Sequence, residues 1–227
     1  MLYERDVQAF DERADGYEAG RLGQLHRDFA DRAIRRALAV DPAPRRVLDV
    51  GSGTGYALRQ LALALPNARE LIGVDAAPGM VRVAREANGI SGAAGSAGPE
   101  GAEGAGPAEG ADAAGRGDGR VRFLVGTAEQ LPLADASADL VISTTSFDHW
   151  ADQRAGLAEC ARVLAPGGHL VLSDLFSIWL APTLLGSRRG KARTRRRATR
   201  LIIDAGLRSP HWTRLAGPVV QTVTATK

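Results

Sequence analysis

The sequence predicts an α/β fold with a doubly wound, mostly parallel sheet of seven strands that ends in an antiparallel strand pair. Short apolar runs alternate with helical segments over most of the chain, which is typical of parallel strands joined by crossover helices. The last two apolar runs have no helix between them. The 227 residues, 44% hydrophobic and 24% charged, suit one globular core, so we expect a single domain over 1–227.

Each element has a local signal. A proline begins the helix at position 78, where a missing N–H costs nothing, and a Pro-Gly-Gly turn over 165–168 ends another helix. The predicted parallel strands are Arg46–Val50, Leu71–Asp75, Val121–Gly126, Asp139–Ser143 and His169–Asp174, with helices at Thr54–Leu65, Pro78–Ala87 and Arg154–Leu164. The final runs, Leu207–Leu215 and Val219–Thr226, flank a Gly-Pro turn, so we expect them to pair antiparallel.

Two further segments complete the predicted organisation. Residues 1–40 are expected to form a helical lead-in to the first strand. Residues 89–119 are mostly glycine and alanine and contain almost no side chain able to build a core, so we predict a disordered insertion there.

Composition excludes several classes of protein. No apolar run is long enough to cross a membrane, and the N-terminal residues lack the apolar segment of a signal peptide, so we expect a cytoplasmic protein. Cys160 is the only cysteine, which excludes an intrachain disulfide and a thiolate zinc cage. The four histidines are scattered, and we expect no metal site.

Charge is distributed unevenly along the chain. The formal net charge is only +3, yet the run Arg188–Arg200 contains eight arginines and lysines and no acidic residue. Such a run is either a solvated helix face or a surface for an acidic partner. The sequence leaves both interpretations open.

The most informative motif is a glycine-rich turn after the first strand, with Asp49 before it and glycines at 51, 53 and 55. Such a turn lets the backbone approach a ligand closely at the start of a helix. A dinucleotide fingerprint would need glycine or alanine where this chain has Tyr56 or Leu58. Asp49 would also repel a pyrophosphate, whereas it would attract a cation.

This motif resembles the acidic-x-Gly-x-Gly-x-Gly signature of class I S-adenosylmethionine-dependent methyltransferases. Four motifs match that family in order between Phe10 and about Asp174, and they are most similar to the subgroup of the ubiquinone and menaquinone methyltransferases. The resemblance implies a Rossmann-like sheet and S-adenosylmethionine as cofactor. The cofactor residues that it implies in the first motif are Asp49, Gly51, Ser52, Gly53 and Gly55.

The second and third motifs extend the expected cofactor site. The resemblance implies that Asp75 binds the ribose hydroxyls, with Ala76 beside it, and that Met80 packs on the adenine. Asp75 as a helix N-cap and Met80 as ordinary core are the alternatives. The third motif contributes Thr127, Ala128 and Glu129, with Thr127 in place of the family's aspartate, so a backbone contact from Ala128 is expected beside the adenine; Glu129 is either a cofactor residue or solvent-facing.

The fourth motif is the end of the fourth strand and the loop after it. The resemblance implies that this loop lies beside the transferable methyl group, which makes Ser143 and Thr144 cofactor-side candidates. Asp148 and His149 are the titratable pair of this loop, and we predict them as catalytic residues, with a packed structural ring as the alternative for His149. Tyr17 resembles the tyrosine that covers the cofactor in this subgroup; an ordinary surface helix is the alternative.

The sequence favours a small organic methyl acceptor. The fourth-strand loop, Ser143–Phe147, lacks the acidic-or-Asn-Pro-Pro-aromatic sequence typical of methylases acting on base amino groups, so nucleic acid is not the expected partner. The apolar run Ile178–Leu185 either walls an acceptor pocket or packs on the sheet. Two alternatives remain: a nucleic-acid or protein methyltransferase that uses the basic run 188–200, and a non-catalytic module that only binds the cofactor. The sequence gives no indication of oligomeric state.

Overall fold

The computed structural model describes residues 2–89, 119–176 and 194–227. The described helices are α1 (Leu2–Asp11), α2 (Gly20–Val40), α3 (Tyr56–Ala64), α4 (Pro78–Ala87), α5 (Gln153–Val163) and α6 (Arg195–Asp204), with short 3₁₀ helices at Ala14–Gly16 and Phe147–His149. The strands are β1 (Arg46–Val50), β2 (Glu70–Asp75), β3 (Val121–Val125), β4 (Ala138–Thr144), β5 (Leu164–Leu175), β6 (Arg208–Ala216) and β7 (Val220–Thr226).

The seven strands form one sheet in the order β3-β2-β1-β4-β5-β7-β6. Strands β1 to β5 pair in parallel, and β7 pairs antiparallel with both β5 and β6. The predicted fold class is therefore confirmed, including the antiparallel C-terminal pair. The strand order reverses between β1 and β4, and the carboxyl ends of strands beside such a reversal are where open α/β sheets bind ligands.

Both faces of the sheet are covered. Along β1, Val47 packs into one buried cluster with Leu58 of α3, whereas its neighbour Leu48 packs into the other with Leu157 of α5 and Ile202 of α6. This change of face between neighbours is the period-2 alternation of a strand buried on both sides. Because both faces are anchored, the carboxyl ends of β1, β2 and β4 are held in fixed positions.

Most element ends lie within one residue of the sequence prediction, and the starts of α3 and β5 differ by more. Helix α3 begins at Tyr56 rather than at Thr54, because Gly53 and Gly55 have φ angles of +52° and +78°, which a right-handed helix does not accept. Strand β5 begins at Leu164, and the Pro-Gly-Gly turn lies inside it as an irregularity: the pairing with β4 changes register between Ala138 and Leu140.

Several predictions fall on residues outside the described ranges. They are the glycine and alanine insertion over 90–118, the apolar run 178–185 and the first part of the basic run, 188–193. Within the described residues, none of the helices has the length and apolar character needed to cross a bilayer.

Candidate cofactor site and catalytic turn

The glycine turn follows directly from the end of β1. The backbone N–H groups of Gly51 and Ser52 both donate to the carbonyl of Val74, at 2.8 and 3.1 Å, which fixes the turn against β2. Gly51 has φ +74°, and a Cβ at this position would lie 1.9 Å from Oγ of Ser146. Glycine is therefore required here by both backbone conformation and space. Gly55 has a different role, since a Cβ there would meet the ring of Phe123 at 2.6 Å.

Asp75 joins the end of β2 to this turn. One carboxylate oxygen accepts from the N–H of Gly53 at 2.8 Å and the other accepts from the N–H of Ala77 at 2.9 Å. Helix α4 begins at Pro78, and its N-cap residue is Ala77. Asp75 therefore lies before the N-cap and does not occupy that position itself. Burial raises the pKa of Asp75 against these hydrogen bonds, which lower it.

Asp49 is a buried carboxylate without a hydrogen-bond partner among the described residues. Its exposed fraction is 2%, and burial, followed by the nearby charge of Asp75, raises its pKa to about 7. Keeping a carboxylate ionised in such a poorly solvated place costs free energy. A cation bound beside Asp49 would remove that cost and lower the pKa again.

Two adjoining cavities open around the glycine turn. Asp75, Ala76, Met80, Ala128, Glu129 and His149 line the first cavity, and Glu18, His26, Arg27, Asp49, Ser52 and Tyr56 line the second. Tyr17, Gly51, Gly53 and Thr144 line both. Because they share these residues, the two cavities lie side by side at the carboxyl ends of β1, β2 and β4, and we refer to them together as the cleft.

Helix α2 supplies polar groups to the second cavity that sequence reasoning missed. Gly23, His26, Arg27 and Ala30 line it, and their i, i+3, i+4, i+7 spacing is the signal that they share one helix face. The buried atoms His26 Nδ1 and Ser52 Oγ have no hydrogen-bond partner among residues 2–89, 119–176 and 194–227. Burial, and secondarily Arg13, lowers the pKa of His26, so its ring is neutral at pH 7. The second cavity thus combines an acidic group with a cation and unpaired polar atoms.

Tyr17 and Met80 both line the first cavity. Tyr17 stands where the two cavities meet, with its ring stacked on His26 at a centroid distance of 5.2 Å. Met80 is 1% exposed and packs with Ala14 and Ala77, with Phe10 of α1 against the same cluster. An apolar wall of this kind suits a flat aromatic ring.

The remaining predicted cofactor residues divide into two groups. Thr144 and Ala128 line the cleft. Glu129 also lines it, although one of its oxygens accepts the N–H of Asp152 at 2.9 Å. Thr127 instead lines a shallow groove on the outside together with Ala76, and Ser143 is fully buried beneath the loop. Alternation along the strand explains the last result, since Ser143 and Thr144 point to opposite faces.

The turn after β4 presents His149 to the first cavity. The His149 side chain is 42% exposed, with Nδ1 3.8 Å from Oδ2 of Asp6 and Nε2 3.9 Å from Oδ1 of Asp148. The imidazole ring also packs edge-to-face against the ring of Phe10, with the two ring centroids 4.9 Å apart. Sequence reasoning missed Asp6, because only the packing of α1 over the cleft brings this residue to His149.

Asp174, at the end of β5, is hydrogen-bonded to the same turn. Its carboxylate accepts the N–H of Asp148 at 3.3 Å and that of Leu175 at 2.6 Å. Burial, followed by the charge of Asp148, raises its pKa to about 7. The sequence indicated only the end of a strand here, and the contact depends on the parallel pairing of β4 with β5.

Comparison with known proteins supports the same interpretation. A family model described as a methyltransferase domain matches residues 48–172. The malonyl-[acyl-carrier protein] O-methyltransferase of Methylococcus capsulatus is 31% identical over 209 residues, covering 91% of this chain and 65% of that protein. The demethylmenaquinone methyltransferase of Deinococcus radiodurans is 37% identical over 147 residues, covering 63% of this chain and 50% of that protein. The chain thus spans half to two-thirds of the length of these relatives.

Solved structures show the same fold at lower sequence identity. A methyltransferase in complex with the Trm112 methyltransferase activator of Haloferax volcanii aligns with a TM-score of 0.70 at 22% identity, covering 96% of both chains. A SAM-dependent methyltransferase from Aquifex aeolicus aligns with a TM-score of 0.61 at 17% identity, covering 97% of both chains. The family match covers more than half of the chain and confirms the predicted resemblance: the chain belongs to the class I S-adenosylmethionine-dependent methyltransferases.

Proposed function

We propose that this protein transfers a methyl group from S-adenosylmethionine to a small organic acceptor, with His149 as the general base. The observation that carries the proposal is that His149 lines the same cavity as Gly51, Asp75 and Met80. A titratable ring is therefore within the space that the family uses for its cofactor. The family match supports the cofactor, and the acceptor is the part proposed here.

The residues present fit the cofactor on chemical grounds. Asp49 is a buried carboxylate that has no hydrogen bond or ion pair in the described part of the chain, which suits the ammonium and sulfonium charges. Arg27 lines the same cavity and suits a carboxylate. Asp75 suits the ribose hydroxyls, and Met80 and Ala128 suit the adenine. When bound, S-adenosylmethionine supplies a methyl group already activated by its sulfonium.

The geometry around His149 suits proton removal. Nδ1 is buried and faces Asp6, so a proton on Nδ1 is favoured and Nε2 is left as the accepting nitrogen. Asp148 lies 3.9 Å from Nε2 and stabilises the charged ring after it accepts a proton. Positioned general bases typically contribute about 10² to 10⁴ in rate, and alignment of the two reactants supplies the rest.

The acceptor class follows from the size of the cleft and from the relatives. The cleft is enclosed by α1, Tyr17 and the loop after β4, which suits a compact organic acceptor better than a polymer. One relative is named for demethylmenaquinone and another for a malonyl group on acyl-carrier protein. Both names describe organic acceptors, the second attached to a protein.

The test is an untargeted search for product. Purified protein is incubated with a small-molecule metabolite extract and methyl-labelled S-adenosylmethionine, and products are analysed by mass spectrometry. We expect a labelled metabolite with the wild type and far less of it with His149→Ala, while His211→Ala, on the exposed strand β6, behaves as wild type. If the cofactor binds but no extract yields a labelled product, the protein is a binding module and the proposal is wrong.

A further inference from the structure

A second polar groove lies on the other side of Trp150 from the cofactor cleft. It runs between the start of α5 and the start of α6, and Trp150 lines both the groove and the cleft. Arg154, Arg196, Arg197 and Arg200 are its charged basic residues, and Asp152 is its acidic one. The groove therefore collects positive charge next to the site where the acceptor is expected.

The arginines at the start of α6 destabilise that helix. Arg195, Arg196 and Arg197 fill its first turn, where the unsatisfied N–H groups already give a partial positive charge. Acidic residues stabilise that end of a helix and basic ones destabilise it. A local arrangement that costs stability in this way is typical of a functional site.

Two arginines of the groove carry positive charge that no ion pair within the described residues balances. Arg154 pairs with Asp204 at 2.9 Å, and Arg195 hydrogen-bonds Gln221 and stacks over Trp212. Arg196 and Arg200 are exposed and have no ion pair within the described ranges.

Two helix starts converge on this groove. The carboxylate of Asp152 already caps α5 by accepting from the N–H groups of Arg154 and Ala155. At α6, the cap is the neutral hydroxyl of Thr194, which accepts from the N–H of Arg197. The α6 end therefore keeps its positive potential, and the groove has the character of an anion site.

We propose that this groove binds a phosphate or diphosphate group carried by the methyl acceptor. An arginine guanidinium group can donate two parallel hydrogen bonds to a phosphate, and a helix start adds backbone N–H donors. An anion there would lie one indole ring away from the cleft, which ties the groove to the acceptor rather than to a remote partner. The assignment to the acceptor depends on the proposed function, whereas anion binding itself does not.

The observations favour a small phosphate ester over nucleic acid. Four arginines line the groove beside two helix starts, an arrangement that suits one phosphate or diphosphate group, whereas nucleic-acid binding relies on contacts to many successive phosphates. Arginines that only face solvent would not be expected to cluster at a helix start, because their positive charge destabilises the helix there.

The first test measures anion binding directly, without cofactor or turnover. Inorganic pyrophosphate is titrated into the full-length protein by calorimetry, with melting temperature as a second measure. We expect saturable binding that weakens by about tenfold or more in Arg196→Ala/Arg200→Ala. The matched control is Arg35→Ala/Arg208→Ala, which removes two exposed arginines elsewhere and should leave the affinity unchanged.

The outcomes separate the alternatives. No saturable pyrophosphate binding, or an equal loss in the control, would overturn the anion site. So would a single-stranded oligonucleotide that binds through these arginines where pyrophosphate does not.

The second test removes phosphate from the acceptor side. The metabolite extract is treated with a phosphatase, which is then removed, before incubation with labelled cofactor. We expect the labelled product to disappear, and a product that persists would contradict the assignment to the acceptor. Absence of product in both extracts points to failure of the proposed function instead, and the pyrophosphate titration then still decides whether the anion site exists.

Discussion

The cofactor cleft and the groove lined by Arg154, Arg196, Arg197 and Arg200 lie on either side of Trp150 and have opposite electrostatic character. In the cleft, Asp49 is buried and Asp75 is half-buried, and desolvation raises the pKa of both carboxyls. In the groove, Arg196 and Arg200 are exposed, so solvent screens them. A buried charge without a partner needs a ligand far more than an exposed one does, since Coulomb interactions strengthen as water is excluded. We therefore expect changes in the cleft to have larger effects than changes in the groove.

The largest effect is expected in the cleft, at the turn that also carries Trp150. Replacing His149 by alanine should lower turnover by about 10² to 10⁴, because the substitution removes the imidazole that we propose takes the acceptor's proton. Cofactor affinity and melting temperature should stay near the wild-type values. Steady-state kinetics, calorimetry and thermal unfolding on one preparation check this. If affinity, stability and activity fall together, His149 is a packed structural ring.

A smaller effect, confined to the cofactor side, is expected for Gly51→Ala. The new Cβ would meet both Oγ and Cβ of Ser146, at 1.9 and 2.4 Å, so the turn must shift. Overpacking of this kind costs about 1–3 kcal/mol, and the positive φ adds about 1–2 kcal/mol. We expect cofactor affinity to fall by about tenfold to hundredfold. Gly16→Ala is the control, since nothing lies within 4 Å of the added atom, and an equal loss there would refute the argument.

The smallest effect concerns stability without cofactor. Asp49 and Asp174 both have a pKa near 7, against an ordinary value of 3.8. A carboxyl whose pKa is raised by folding favours the folded state below about pH 4, and that contribution is lost as the pH rises through 7. Asp49→Asn should therefore melt a few degrees above the wild type at pH 8 and lose this advantage toward pH 4. A constant difference at every pH would mean that Asp49 is charged throughout.

The extent to which sequence predicted the site depends on how each residue reaches it. Gly51, Gly53 and Asp75 were predictable because one strand-turn-helix segment and the next strand's end carry their geometry locally. His26, Arg27, Asp6 and Asp174 were not, because they reach the cleft only through the packing of α1, α2 and β5. The predicted loop residues Ser143 and Thr144 differ for a third reason. The motif locates the end of the strand. Which of these two neighbouring side chains faces the cleft depends on the alternation of side chains along the strand, which the motif does not give.

If Asp49 and Asp75 form a pocket for a cationic cofactor, calorimetric titration with S-adenosylmethionine between pH 5.5 and 7 shows it most directly. We expect saturable binding to the wild type that tightens as the pH rises, because Asp49 must lose its proton, together with proton release detected by a change of buffer. Asp49→Asn should bind about tenfold or more weakly at pH 7 and lose the proton release, whereas Asp174→Asn should retain it. Absence of saturable binding, or identical affinity and proton release in Asp49→Asn, would contradict the account.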